Sequence, residues 1–147
     1  LNSGLVLTTG EDNTLIGVSS GASLTTGTLN VAVGRNALSS GAATNRNVAI
    51  GNNTLQSVSA SSSVDSYNVA IGYSSGGSVT TGGGNVGVGG LALSGASTGN
   101  NNTAVGFQAS RYMTTASSIT AIGYLAGGGT GGATVMTGND NVLDIIL

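Results

Sequence analysis

The chain contains no cysteine, proline, histidine, tryptophan or lysine, and its only cations are Arg35, Arg46 and Arg111. Without cysteine there is no disulfide framework, and the redox compartment is left open, an extracellular setting included. Without histidine, lysine or cysteine the usual proton-transfer and thiol chemistry is missing, and the many Ser and Thr have no base beside them to make a nucleophile. The carboxylates are Glu11, Asp12, Asp65, Asp140 and Asp144. The chain is therefore expected not to be an enzyme and to need no cofactor. Charged residues make up 5% of it and the net charge is −2, which excludes the basic footprint of a nucleic-acid binder. No apolar run approaches the ~20 residues of a membrane-spanning helix. No signal peptide stands at Leu1, and the lack of an initiating Met suggests a fragment or processed piece. Aromatics are only 3% of the chain, so little bulk is on hand for a core.

What is abundant is glycine, 27 residues of it, placed in a pattern. Asn-Val-Ala-Val/Ile-Gly stands at 30–34, 47–51 and 68–72, returns at 85–89 and 102–106 with small changes, and has weaker copies at 13–17 and 119–123. Motif starts at 13, 30, 47, 68, 85, 102, 119 and 141 give a period of 17 residues, with four added once and five added once. Leu24, Val79 and Met113, each followed by Thr-Thr, confirm the phase. The 39% hydrophobic content, set in regular columns, argues against a disordered Gly/Ser linker. Such a repeat fixes the architecture before anything else does.

Asn47–Gly51 reads as a short β-strand, since Val and Ile favour strands. Val48 and Ile50 then share one face and Ala49 takes the other. The expectation is that the branched columns fill the interior of each coil. The Ala/Gly column would leave a smooth outer face. A second strand fits Asn36–Leu38, Thr54-Leu55 and Ala92-Leu93, and glycine recurs where a corner needs positive φ. The Asn column is expected to serve turns and to form side-chain ladders along the axis. The fold expected is an all-β parallel β-solenoid or β-roll with one coil per repeat. Eight coils would make a rod roughly 40 Å long at the ~4.8 Å strand spacing. The array is placed at 1–140. Residues 141–147 are its end or a handover to a following element, because Ile145 replaces the glycine. Sparse apolar bulk per coil implies that copies of the chain share a face.

The segments Asn47–Leu55, Asn30–Leu38 and Asn102–Ser110 resemble the head repeats of YadA-like trimeric autotransporter adhesins, and equally repeats in bacteriophage tail-fibre proteins. The resemblance covers about residues 7–140. It implies a left-handed parallel β-roll, a homotrimer about a threefold axis, and an extracellular, cell-surface or virion-borne fibre that attaches to a host or surface. Phage and bacterial origin both stay open, as does the receptor, glycan or protein. On this reading Asn30, Gly34, Asn47, Gly51, Asn68, Gly72, Asn85, Gly89, Asn102 and Gly106 define the turns. The chain itself is the first partner, with no nucleic acid and no direct membrane insertion in this segment. A self-assembling filament subunit and an ice-binding-type solenoid, with its Thr-Thr pairs, are the alternatives.

Candidate contact residues are sought where the repeat varies. The position after each glycine reads Val18, Arg35, Asn52, Tyr73, Gly90, Phe107, Tyr124. Tyr73, Phe107 and Tyr124 are candidate receptor contacts, against the alternative that they pack on neighbouring coils or chains. Arg111 and Tyr112 near a turn are further candidates, as are the insertions within 56–67 and 127–136. Asp12 and Asp140 share a phase, but no carboxylate column joins them and no calcium pattern is matched, so no metal site is expected. The Gly82–Gly84 and Gly127–Gly129 runs lack the context of a phosphate loop and read as turns.

Overall fold

The computed structural model describes residues 3–59 and 64–127, Val64 by its backbone alone, together with the backbone of 143–145. The strands are β1 (Thr14–Ile16), β2 (Val31–Val33), β3 (Thr44–Asn45), β4 (Val48–Ile50), β5 (Val64–Asp65), β6 (Val69–Ile71), β7 (Val86–Val88), β8 (Thr103–Val105), β9 (Thr120–Ile122) and β10 (Leu143–Ile145). Eight of them form one parallel sheet in the order β1-β2-β4-β6-β7-β8-β9-β10. The chain is an all-β parallel solenoid, and its described residues make about six turns.

Register follows the repeat. Val31 faces Val48 and Val48 faces Val69, although the second step carries the four extra residues. That surplus leaves the sheet undisturbed. Between β2 and β6 a second, two-stranded sheet forms, in which β3 and β5 pair as a small parallel ladder of their own. At the other end Leu143 pairs with Thr120. The phase read from Asn141 puts Val142 there, so this last strand is displaced by one residue. The second insertion, at 128–136, lies outside the described residues, as do the tip of the first at 60–63 and both Asp140 and Asn141.

The expected faces are reversed. The alanines of the motif are inside: Ala32, Ala49, Ala104 and Ala121 are fully buried. Ile50, Ile71 and Ile122 are 38%, 38% and 41% exposed, and Ile16 58%. The reason is parity. Asn and Ala are two residues apart, so they point to the same side of the strand. The asparagines are buried at Asn30, Asn47, Asn68, Asn85 and Asn102, so Ala goes in with them and Val/Ile are turned out. The interior is filled from the other side of each coil, by Leu38, Leu55, Leu93, Val58, Val79 and Met113. Small Ala side chains are what lets two walls so close together hold this second layer.

That second layer is not the second strand expected. Leu38, Leu55 and Leu93 have φ of 52°, 45° and 53°, and Asn36 and Asn53 have 55° and 58°. The segment alternates left-handed positions and makes a compact turn, with Leu38 N–H donating to Thr54 O at 3.0 Å on the next coil. Backbone ladders thus continue through it without extended geometry.

The Asn column forms the ladder expected of it. Each Asn Oδ1 accepts the backbone N–H of the next Asn, at 3.0 Å for Asn13 to Asn30, Asn30 to Asn47, Asn68 to Asn85 and Asn85 to Asn102. Nδ2 of Asn68, Asn85 and Asn102 donates to the carbonyl three residues before the next Asn position, at Gly82, Gly99 and Ala116, 2.8–2.9 Å away, and Asn47 Nδ2 to Asn45 O at 3.1 Å. Ile119 takes the Asn place in the next coil, still donating its N–H to Asn102 Oδ1 at 3.0 Å. Replacing Asn85 by Ala would orphan the buried Asn102 N–H and Gly99 carbonyl, at roughly 1–3 kcal/mol each. Asn85→Ala is therefore expected to lower the urea-unfolding free energy by about 2–5 kcal/mol without altering exposed positions.

Candidate interaction surfaces

The first surface is the outer face of the main sheet. Its two columns run Thr14, Val31, Val48, Val69, Val86, Thr103, Thr120 and Ile16, Val33, Ile50, Ile71, Val88, Val105, Ile122, held in line by the parallel register. No charged residue lies in the seven strands that carry them. The stripe is largely apolar, interrupted by Thr14, Thr103 and Thr120, and a patch of this kind is a candidate association surface.

The stripe has two edges. After each Gly the post-glycine column turns outward, and Tyr73, Phe107 and Tyr124 are all exposed there. Phe107 and Tyr124 stack nearly parallel, with ring centroids 6.1 Å apart and planes at 8°. Phe107 also leans over Gly90, where an added Cβ would meet its Cδ2 at 3.2 Å. These aromatics thus pack along their own column while remaining open to a partner. Tyr73 has no ring partner among the described residues. The other edge is the residue before each Asn, a left-handed corner occupied by Asp12, Leu29, Arg46, Tyr67, Gly84, Asn101 and Ser118. Asp12 and Glu11 are exposed there. Among the described residues no three His, Cys, Asp or Glu side chains gather.

Arg111 and Tyr112 lie on the far side of the coil. The Arg111 guanidinium sits 5.1 Å from the Tyr112 ring centroid, a cation–π pair apart from the stacked pair. Near them run the hydroxyl pairs. Thr25 Oγ1 donates to Ala42 O at 2.9 Å, and Thr80 Oγ1 to Ser97 O at 2.9 Å. The first hydroxyl of these two pairs is therefore spent on the coil ladder. The second, at Thr26, Thr81 and Thr115, is exposed, and Ala43 interrupts that column.

One cluster was not foreseen. Arg46 forms an ion pair with Asp65 and lies 5.7 Å from the Tyr67 ring centroid. Tyr67 Oη donates to the other carboxylate oxygen of Asp65 at 3.1 Å. The cluster pins the base of the first insertion. Its sequence signal was an Arg and a Tyr in the same corner phase, with an acid two residues before the Tyr. Desolvation pushes the Asp65 carboxyl up. Hydrogen bonds from Arg46 and Tyr67, the Arg46 charge and a hydrogen bond from Asn45 outweigh it, leaving the pKa below its ordinary value of 3.8. A lowered folded-state pKa means that the contribution of the cluster is present above the unfolded value and is lost as pH falls through the folded one. The pair is solvent-exposed, so the effect on global stability is small. Acid titration followed by NMR is expected to show the Asp65 carboxyl titrating below pH 3.8, with Tyr67 ring signals moving in step. Asp65→Asn should abolish that coupled shift.

The motif asparagines do not themselves take the left-handed conformation, which the residue before each of them does. Gly34, Gly51, Gly72, Gly89 and Gly106 have φ of 124–135° and close each strand. Among the described residues no helix is long and apolar enough to cross a membrane. Comparison of the chain with protein-family models, with curated proteins and with solved structures gives no match.

Proposed function

We propose that the chain is a structural and attachment module of a fibre, extracellular, cell-surface or virion-borne, that acts as a homotrimer. The observation that carries this reading is the outward Val/Ile stripe: an uncharged, largely apolar face on a regular rod, running from Thr14 to Ile122. Three copies around a common axis would bury it at once, giving each narrow coil the hydrophobic bulk that its own Ala-lined interior lacks. The resemblance to adhesin heads and phage tail fibres supports the threefold axis and a left-handed coil, and the eight motif starts in the sequence support an array of eight coils. It also supports attachment as the task of the rod. Receptor contact would fall to exposed residues outside the buried stripe, with Arg111 and Tyr112 the best placed and Tyr73, Phe107 and Tyr124 at its edge.

The test is mass by light scattering over a range of dilutions. A stable three-chain species is expected, and a stable monomer overturns the reading. The exposed Thr26, Thr81 and Thr115 keep an ice-binding reading in play, and a thermal-hysteresis assay tests it directly.

A further inference from the structure

Resting on that self-association, we infer that the copies stand parallel and in register, edge against edge, with Tyr67 of one chain packed on Tyr73 of the next. Every strand of the stripe is bordered by one corner residue before its Asn and one after its Gly. In the coil of β6 both corners are tyrosine, Tyr67 and Tyr73, and both rings are exposed. In the next coil both corners are glycine, Gly84 and Gly90. Above that, Asn101 and Phe107 both lean back over the glycine places: a Cβ built on Gly84 would run into Asn101 Oδ1, and one on Gly90 meets the Phe107 ring. In the coils of β6 and β7 the two edges, six residues apart in sequence, match in kind, Tyr with Tyr and Gly with Gly, whereas other coils pair unlike residues, such as Arg46 with Asn52 and Ser118 with Tyr124.

Nothing within one chain requires this match, because a strand separates the two edges. Cyclic assembly about an axis parallel to the solenoid does require it. Such an interface is heterologous and sets the leading edge of one copy against the trailing edge of its neighbour at the same height. Ring then meets ring at the Tyr67–Tyr73 height, an arrangement aromatic pairs favour. At the glycine coil the corners carry no side chain of their own, and Asn101 and Phe107 fill that space from the coil above. Ile16, Ile50, Ile71, Tyr67, Tyr73 and Phe107 are exposed apolar side chains of the stripe and its edges, the kind of surface that a partner buries. The strands of the stripe carry no charge, while Asp12, Arg35 and Arg46 stand on its edges. This arrangement draws Tyr73 into the interface and leaves Arg111 and Tyr112 as the contact group facing outward.

The absence of native cysteine makes the test clean. Across a strand, Tyr67 and Tyr73 of one chain stand at least about 13 Å apart, too far for an internal disulfide. Oxidation of Y67C/Y73C is expected to give covalent trimers on a denaturing gel. Neither single variant should cross-link, and nor should Y67C/F107C, which is two coils out of register. Asn101→Cys with Phe107→Cys repeats the test at another height should the tyrosine positions prove necessary for folding. A covalent species that stops at dimers, with dimeric mass in solution, supports the edge pairing and overturns the threefold reading. A monomeric mass overturns self-association altogether, and this inference with it. Assembled chains that fail to cross-link in Y67C/Y73C, or that cross-link through either single cysteine, overturn the inference alone.

Discussion

Gly51→Ala is expected to remove most of the stability of the chain, more than about 4 kcal/mol against the 5–15 kcal/mol of a typical domain. Two effects add. Gly51 has φ of 130°, outside the range that a residue with a side chain adopts at low cost, and such strain alone is worth about 1–3 kcal/mol. The added methyl would also lie 2.7 Å from Gly72 O and 2.9 Å from Gly72 C, which is backbone and not a side chain that can rotate away. That backbone is fixed in turn: Gly72 N–H donates to Ile50 O at 2.8 Å and Gly51 N–H to Val33 O at 2.7 Å. Relief of the clash therefore has to open the ladder between two coils. Gly77→Ala is the control. Its φ is not positive, and the new methyl comes no closer than 3.2 Å to any neighbour, so a loss under about 1 kcal/mol is expected. Urea-unfolding midpoints of the two variants, compared with the parent chain at one protein concentration, check the contrast.

The parts of this fold that were legible in the sequence are those in which one residue type does one job. A glycine at a positive-φ corner and an asparagine that pairs with its own copy one coil away leave columns that can be read by phasing. The strands followed, since Val-Ala-Ile has no other short-range reading. The interior was not legible in the same way. A Val-x-Ile triplet looks like the buried side of a strand, because burying branched residues is the ordinary outcome. What overrides it is two residues upstream: burial of Asn47 fixes the parity and carries Ala49 inward with it. The leucines were misassigned for a related reason. Leu38, Leu55 and Leu93 in left-handed conformations run against propensity, and only coil-to-coil hydrogen bonds hold them there. The Arg46–Asp65–Tyr67 cluster depends on an insertion folding back by one coil, which spacing alone does not show. Exposure of the post-glycine column was legible from its variety. Packing of these aromatics on neighbouring coils was the alternative read from the sequence, and Phe107 on Tyr124 follows it; the near-parallel geometry was not legible, because it needs the coil rise and the lean of the rings.

Two adjacent residues should respond in opposite ways. Ala70 and Ile71 lie side by side in β6, Ala70 facing the interior at 2% exposure and Ile71 facing outward at 38%. Ala70→Leu places three extra carbons into a layer already occupied, between Ala49 and Gly87 on the neighbouring strands. The site has no slack: at Gly87 in the same column even a Cβ would come within 2.7 Å of Ser75 Oγ, which donates to Gly87 O. Overpacking usually costs about 1–3 kcal/mol, and a rigid ladder on both sides puts this variant at or above the upper end. Ile71→Asp leaves the interior untouched. As a change at an exposed strand position it is expected to shift the intrinsic stability of the coil by about 1 kcal/mol or less. It sets a carboxylate on the stripe between Ile50 and Val88, where assembly would strip it of water and bring its copies together. The expected result is association weakened by about a thousandfold, roughly 4 kcal/mol, seen as a monomeric mass that retains its β-sheet circular dichroism. In Ala70→Leu the order is reversed, and fold and assembly are lost together at a lower denaturant concentration. A silent Ala70→Leu, or an Ile71→Asp chain that unfolds without first dissociating, would put the branched column back inside the coil and leave the stripe without a role in assembly.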